Sequence, residues 1–142
     1  MKTLTPRPCD ITHDWYVLDA KDQTLGRLST KVAHILRGKN KTYFSPNLDC
    51  GDFVIITNAE KVVLTGSKEL QKTYKRFSGY PGGQKLTPYK RMIAEKPEEV
   101  IYKSIKGMLP KNSLGREMIK KLKVYAGAIH PHGAHKPVVL EV

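Results

Sequence analysis

The chain has 142 residues and sets 25 Lys and Arg against 13 Asp and Glu, a formal charge of +12 at pH 7; that length suits one hydrophobic core and is too short for two. A self-repelling excess of one sign asks for a polyanionic partner, nucleic acid ahead of other candidates. A membrane partner is not expected, because no apolar run approaches the roughly 18 residues of a spanning helix and no signal segment follows Met1, so a cytosolic setting is.

In that setting Cys9 and Cys50 are expected to be free thiols. Residues 1–13, with Pro6 and Pro8, read as an extended N-terminal arm. Trp15-Tyr16-Val17-Leu18 is a short aromatic and β-branched run between Asp14 and Asp19, which suits a buried strand followed by a turn to Gln23. From Leu25 to Arg37 the apolar residues Leu25, Leu28, Val32, Ile35 and Leu36 recur at three- and four-residue steps. Arg27, Thr30, Lys31 and His34 fall on the other side, so an amphipathic helix is predicted, stopped by Gly38. Phe53-Val54-Ile55-Ile56-Thr57 is continuously apolar, as in a parallel strand buried on both faces. Strand, helix and strand make a βαβ unit.

Further along, Lys61-Val62-Val63-Leu64 reads as another short strand ended by Gly66, and Thr73 to Phe77 as a ribbon before the glycine-rich Gly79-Tyr80-Pro81-Gly82-Gly83. Thr87-Pro88 predicts one helix start, Thr as cap and Pro first. Lys96-Pro97-Glu98-Glu99 predicts a second, with acidic residues complementing the helix dipole and Ile101 and Ile105 on its core side. Gly107-Met108-Leu109-Pro110 should break that helix. A further helix is predicted over Leu114–Leu122, with Leu114, Met118, Ile119 and Leu122 on one arc and Arg116, Lys120 and Lys123 on the opposite one. Val124-Tyr125-Ala126 then reads as a short strand. Residues 127–142, with Pro131, Gly133 and Pro137, lack periodicity and read as an extended C-terminal tail of the single domain 1–142.

Two basic stretches stand out as candidate phosphate contacts. The first is Arg37-Gly38-Lys39-Asn40-Lys41-Thr42-Tyr43-Phe44, where three cations at a helix end are followed by two aromatic rings. The second runs from Lys106 through Lys111 and Arg116 to Lys120, Lys121 and Lys123, with glycines that let a backbone approach closely and a helix start offering free amide donors. His130, His132 and His135 invite a metal reading, but no Cys or carboxylate cluster lies beside them, so they are assigned to RNA contact or surface packing. Asp49, Cys50 and Asp52 precede the apolar strand and read as turn and capping residues before catalytic ones. Phosphate-binding glycine motifs, the nucleophile elbow and paired Cys-x-x-Cys are all missing, so no enzyme template fits.

Several words of the chain carry a resemblance: Asp14-Trp15-Tyr16-Val17, Leu25-Gly26-Arg27-Leu28, Lys61-Val62-Val63-Leu64-Thr65-Gly66, Gly79-Tyr80-Pro81-Gly82-Gly83, Lys106-Gly107-Met108-Leu109-Pro110-Lys111 and Lys123-Val124-Tyr125-Ala126-Gly127. In order and spacing they resemble the bacterial-type large-subunit ribosomal protein thirteen family over nearly the whole length. The resemblance implies an α/β fold, a three-layer α/β/α domain on a small, mostly parallel four-stranded sheet with extended N- and C-terminal segments. It also implies binding to large-subunit rRNA, neighbouring large-subunit ribosomal proteins as partners, a part in early subunit assembly, no catalytic activity and no cofactor. No small-molecule substrate is expected. Together the charge pattern and the resemblance nominate Arg27, Arg37, Lys39, Lys41, Tyr43, Lys106, Lys111, Arg116, Lys120, Lys121, Lys123, His130 and His132 as RNA-binding residues. Two rival readings remain: a small α/β nucleotide-binding enzyme, which needs a nucleotide-sized pocket near Gly26, and a basic regulatory or protein-interaction module outside the ribosome.

Overall fold

The apolar words of the sequence become the strands and helices of an α/β domain in the computed structural model, which describes residues 6–140. Residues 1–5 of the expected arm and 141–142 of the expected tail lie outside the described residues. Strand β1 (Trp15–Asp19) leads into helix α1 (Leu25–Arg37), and α1 into strand β2 (Phe53–Thr57). The strand pair is parallel, Tyr16 opposite Val54 and Leu18 opposite Ile56. This is the βαβ unit the periodicity predicts, and α1 stops where Gly38 takes a left-handed φ of 75° that a side chain would resist.

Two more strands complete the main sheet: β5 (Leu122–Val124) pairs parallel with β2, and β6 (Val138–Leu140) pairs parallel with β1, in the order β5-β2-β1-β6. Between β2 and β5 come helix α2 (Lys68–Gln71), a hairpin of β3 (Thr73–Phe77) and β4 (Gln84–Pro88), and helices α3 (Tyr89–Glu95), α4 (Pro97–Met108) and α5 (Ser113–Lys120). Alternation along the strands puts Tyr16, Leu18, Val54, Ile56, Leu122, Val124 and Leu140 on one face. That face shares a single core with Leu28, Val32 and Leu36 of α1, Val100, Ile101 and Ile105 of α4, and Met118 and Ile119 of α5. Each fully buried Leu, Ile or Val there stabilises by about 1.5–3 kcal/mol relative to exposure. The opposite face carries Trp15, Phe53 and Ile55 and is crossed by the connection from β5 to β6, whose His135 ring stacks on Trp15 at 4.1 Å while Phe53 stacks on it at 4.4 Å.

Several expected boundaries move. Lys61-Val62-Val63-Leu64 forms no strand; a 3-10 turn occupies Ala59–Lys61, and Val63 makes one isolated parallel bridge to Thr24. Thr87 and Pro88 end β4, so α3 starts one residue later than expected, with Pro88 as its cap. Helix α5 ends at Lys120, and the strand after it is Leu122–Val124, because Leu122 faces the core from a strand as readily as from a helix. The arm contains a 3-10 turn at Pro8–Asp10, and the tail contains the strand β6. Cys9 and Cys50 are both free, the first exposed and the second buried.

A candidate nucleic-acid interface

Helical spacing sends Arg27, Thr30, Lys31, His34 and Arg37 to the side of α1 away from its buried stripe. Two clefts follow one another along that side, and a third lies at the nearby turn after α4. The first, about 770 Å³, lies between the start of α1 and residues 63–68 and is lined by Arg27, Thr30, Lys31 and Lys68 among others. The second, about 330 Å³, begins at the same Thr30 and continues past His34, Arg37 and Lys39 to Met108 at the end of α4. A third, about 390 Å³, wraps the turn between α4 and α5, where Lys106, Lys111 and Arg116 stand around Leu109, Pro110 and Ile119. Among the described residues no carboxylate lines any of the three. Among the described residues, none of Arg27, Arg37, Lys39, Lys106, Lys111 and Arg116 forms an ion pair.

The shape of the third cleft is written into its turn. Asn112 caps α5, its side-chain oxygen accepting from the Gly115 amide at 2.8 Å. Gly115 is buried, and a Cβ there would collide with the Pro110 carbonyl. The close approach keeps the first turn of α5 folded against the end of α4, leaving amides near Ser113 and Leu114 beside Lys111 and Arg116.

Two of the nominated lysines point inward instead. Lys41 forms an ion pair with Asp52, which is fully buried, and also donates to the Thr12 carbonyl. Desolvation alone would lower the Lys41 pKa, but the Asp52 bond, followed by the other contacts, outweighs it and the net shift is upward. Lys121, 7% exposed, donates to Asp49 at 2.5 Å and to the Gly51 carbonyl at 2.8 Å. These contacts fold the loop 38–52 back onto α1, where Gly38 and Gly51 are needed: a side chain on the first would meet Cys50 backbone, and on the second the Leu36 carbonyl. Lys41 and Lys121, both expected to face RNA, are thus each held by a carboxylate of the protein itself, which leaves less of their charge to offer a phosphate. Asp49 and Asp52 act as their counter-ions and not as an acid–base pair.

Tyr43 is half-buried, its hydroxyl 3.3 Å from Thr12 and its ring below the Lys41 ammonium; the Thr12 bond, first among several contacts, lowers its pKa. Lys120 is exposed but binds both oxygens of Glu117 at 2.8 and 2.9 Å. Lys123 belongs to β5 and not to an arc of α5, so the expected row of three cations on that helix reduces to Arg116 and Lys120. His132 accepts or shares a proton with the Tyr125 hydroxyl at 2.7 Å and sits 5.3 Å from the Trp15 ring, with His130 and His135 beside it. Desolvation, then the neighbouring His135, His130 and Lys123 charges, lower its pKa. These imidazoles lie on the sheet face away from the helices. Among the described residues no group of His, Cys, Asp and Glu is placed to hold a metal ion.

The structure thus gathers Arg27, Arg37, Lys39, Lys106, Lys111 and Arg116 into one band and disperses Lys41, Tyr43, Lys120, Lys121, Lys123, His130 and His132. Lys31 and Lys68, which line the first cleft, were not nominated from the sequence; the four-residue step from Arg27 to Lys31 on α1 was the available signal for one of them. No helix among the described residues is long and apolar enough to cross a membrane.

The profile of the family described as Ribosomal protein L13 matches residues 13–131. The chain is 60% identical over 141 residues to the large ribosomal subunit protein uL13 of Symbiobacterium thermophilum, covering 99% of both chains. It is 56% identical over 142 residues to the protein of the same name from Psychrobacter arcticus, covering both chains fully. It is also 56% identical to that of Thermobifida fusca, covering 95% of the latter.

Proposed function

Because this chain belongs to the ribosomal protein L13 family, we propose that the band along α1 and the α4–α5 turn seats it on large-subunit rRNA by neutralising phosphates. The protein is a structural constituent of the large ribosomal subunit and not an enzyme. Its bacterial relatives support a cytoplasmic ribosome as its setting and neighbouring large-subunit proteins as further partners. The observation that carries the RNA reading is the set of six cations, Arg27, Arg37, Lys39, Lys106, Lys111 and Arg116, that form no ion pair among the described residues and line three clefts with no described carboxylate. Cations in such a band release condensed counterions when they meet phosphates, and the α/β core holds them in register. Folded RNA is recognised by shape and backbone, which a rigid band of this kind suits. A fold that needs only its own core to present this band is also suited to joining the subunit early in assembly.

The cleft beside Gly26 is large enough for the nucleotide of the rival enzyme reading, yet its lining supplies Arg27, Lys31 and Lys68 and no carboxylate to act as base or metal ligand. The test is binding of the full chain to protein-free large-subunit rRNA as a function of salt. With about six phosphates engaged, at roughly 0.7–0.9 in log–log slope for each, affinity drops more than about a hundredfold between about 50 and 200 mM salt. Binding that does not change over that range refutes the reading.

A further inference from the structure

The β3–β4 hairpin is the part of the molecule whose side chains the band does not explain. Residues 72–91 contain six basic residues, Lys72, Lys75, Arg76, Lys85, Lys90 and Arg91, and no acidic one. Register places Arg76 directly opposite Lys85 and Lys75 opposite Leu86. Like charges facing each other across a ladder destabilise the pair that carries them, and here no carboxylate of the hairpin offsets them. The two cations instead flank a cleft of about 370 Å³ closed by Phe77, Ser78 and Gly83.

Apolar side chains on the same element are equally unpartnered. Phe77 is 65% exposed, Tyr80 76% and Leu86 57%. They are held in place and do not dangle: the Ser78 and Gly83 amides bond to the Gly83 and Tyr80 carbonyls at 3.2 and 2.9 Å, and Gly79 and Gly82 take the left-handed φ values the tip requires. At its base the hairpin is anchored by the Tyr89 amide donating to the Lys72 carbonyl at 2.9 Å and by Tyr74, which packs on the main core. A two-stranded ribbon is marginal by itself, so its outward end is a rigid display of rings and cations on an anchored base.

We propose that this hairpin is a second RNA-binding element, which holds a backbone phosphate between Arg76 and Lys85 and stacks Phe77 and Tyr80 on unpaired bases. A phosphate there relieves the cross-strand repulsion, and rings with exposed faces beside cations are the chemistry by which single-stranded segments are bound. The inference rests on the rRNA reading above and adds to it the kind of RNA met at this end, an unpaired segment instead of a duplex backbone.

The experiment measures affinity of the full chain for protein-free large-subunit rRNA across about 50 to 200 mM salt, for the parent and for three exposed-residue variants whose thermal unfolding is checked against it. Phe77→Ala/Tyr80→Ala is expected to weaken binding by about tenfold or more with its salt slope unchanged, and Tyr80→Phe, which keeps the ring, to bind like the parent. Arg76→Gln/Lys85→Gln is expected to lower the salt slope by about one. A Phe77→Ala/Tyr80→Ala variant that binds within about twofold of a salt-sensitive parent overturns the proposal and leaves the band intact. A variant that binds free rRNA normally but fails to enter large subunits overturns it in favour of a protein neighbour. Failure of the parent itself to bind rRNA sinks the underlying reading instead.

Discussion

Lys39 and Lys41 stand two residues apart on one loop and meet opposite fates. Lys39 is exposed in the cleft behind α1, without an ion pair among the described residues. Lys41 turns under the loop to the buried Asp52, as Lys121 does to Asp49 from 72 residues away. The outer region is cheap to alter and available to a partner; the inner one sets the course of the loop that carries it. Charge counted along a sequence therefore overstates the charge a partner can meet, because the counter-ions that remove it come from distant segments.

The contrast is broken first by removing an inner counter-ion. Asp52→Ala leaves the Lys41 ammonium buried without its partner and is expected to cost about 3–5 kcal/mol in denaturant unfolding. A loss below about 1 kcal/mol would mean that the inner pair does not hold the loop. Removing outer charge should do the reverse. Lys39→Gln/Lys111→Gln is expected to leave unfolding within about 0.5 kcal/mol while lowering the salt slope of rRNA binding by about 1.5. If that variant unfolds early and binds with an unchanged slope, the two regions have been assigned the wrong way round.

The smallest effect sharpens the comparison from a third place, the imidazole cluster over Trp15. The folded state holds the His132 pKa below its ordinary value of 6.5, chiefly by desolvation and then through His135, His130 and Lys123. Across that window the unfolded chain binds more protons than the folded one, so stability is intact at neutral pH and declines as pH falls through about 6.5. Trp15 is the sole tryptophan and touches His132 and His135, so its fluorescence should change over the same range. His132→Gln should flatten that response, and an unaltered titration in the variant would show that the imidazole does not report there.

Sequence periodicity located the parts of the fold that local patterns control. Helix α1 was legible to the residue because its apolar steps and Gly38 agree, and β2 because five consecutive apolar or β-branched residues suit a strand covered on both faces. Strand β4 was not: Gln84-Lys85-Leu86-Thr87-Pro88 has no alternation of its own and exists through pairing with β3. Strand β6, three residues within an aperiodic tail, is likewise defined by its partner β1. The candidate interface divides in the same way. Helical spacing and turn glycines pointed to Arg27, Arg37, Lys106, Lys111 and Arg116, whereas the inward turn of Lys41 and Lys121 depends on carboxylates brought close only by folding.

The pairing of β6 with β1 also decides which edge the main sheet presents. Without it, the outermost strand would be Trp15–Asp19, five residues of mostly aromatic and branched side chains with a row of unsatisfied amides and carbonyls, an inviting template for another copy. Val138–Leu140 moves that boundary to a strand of three residues, too short to recruit a neighbour with much strength. A segment without a periodic signature thus covers the long edge of β1 and leaves a shorter one in its place.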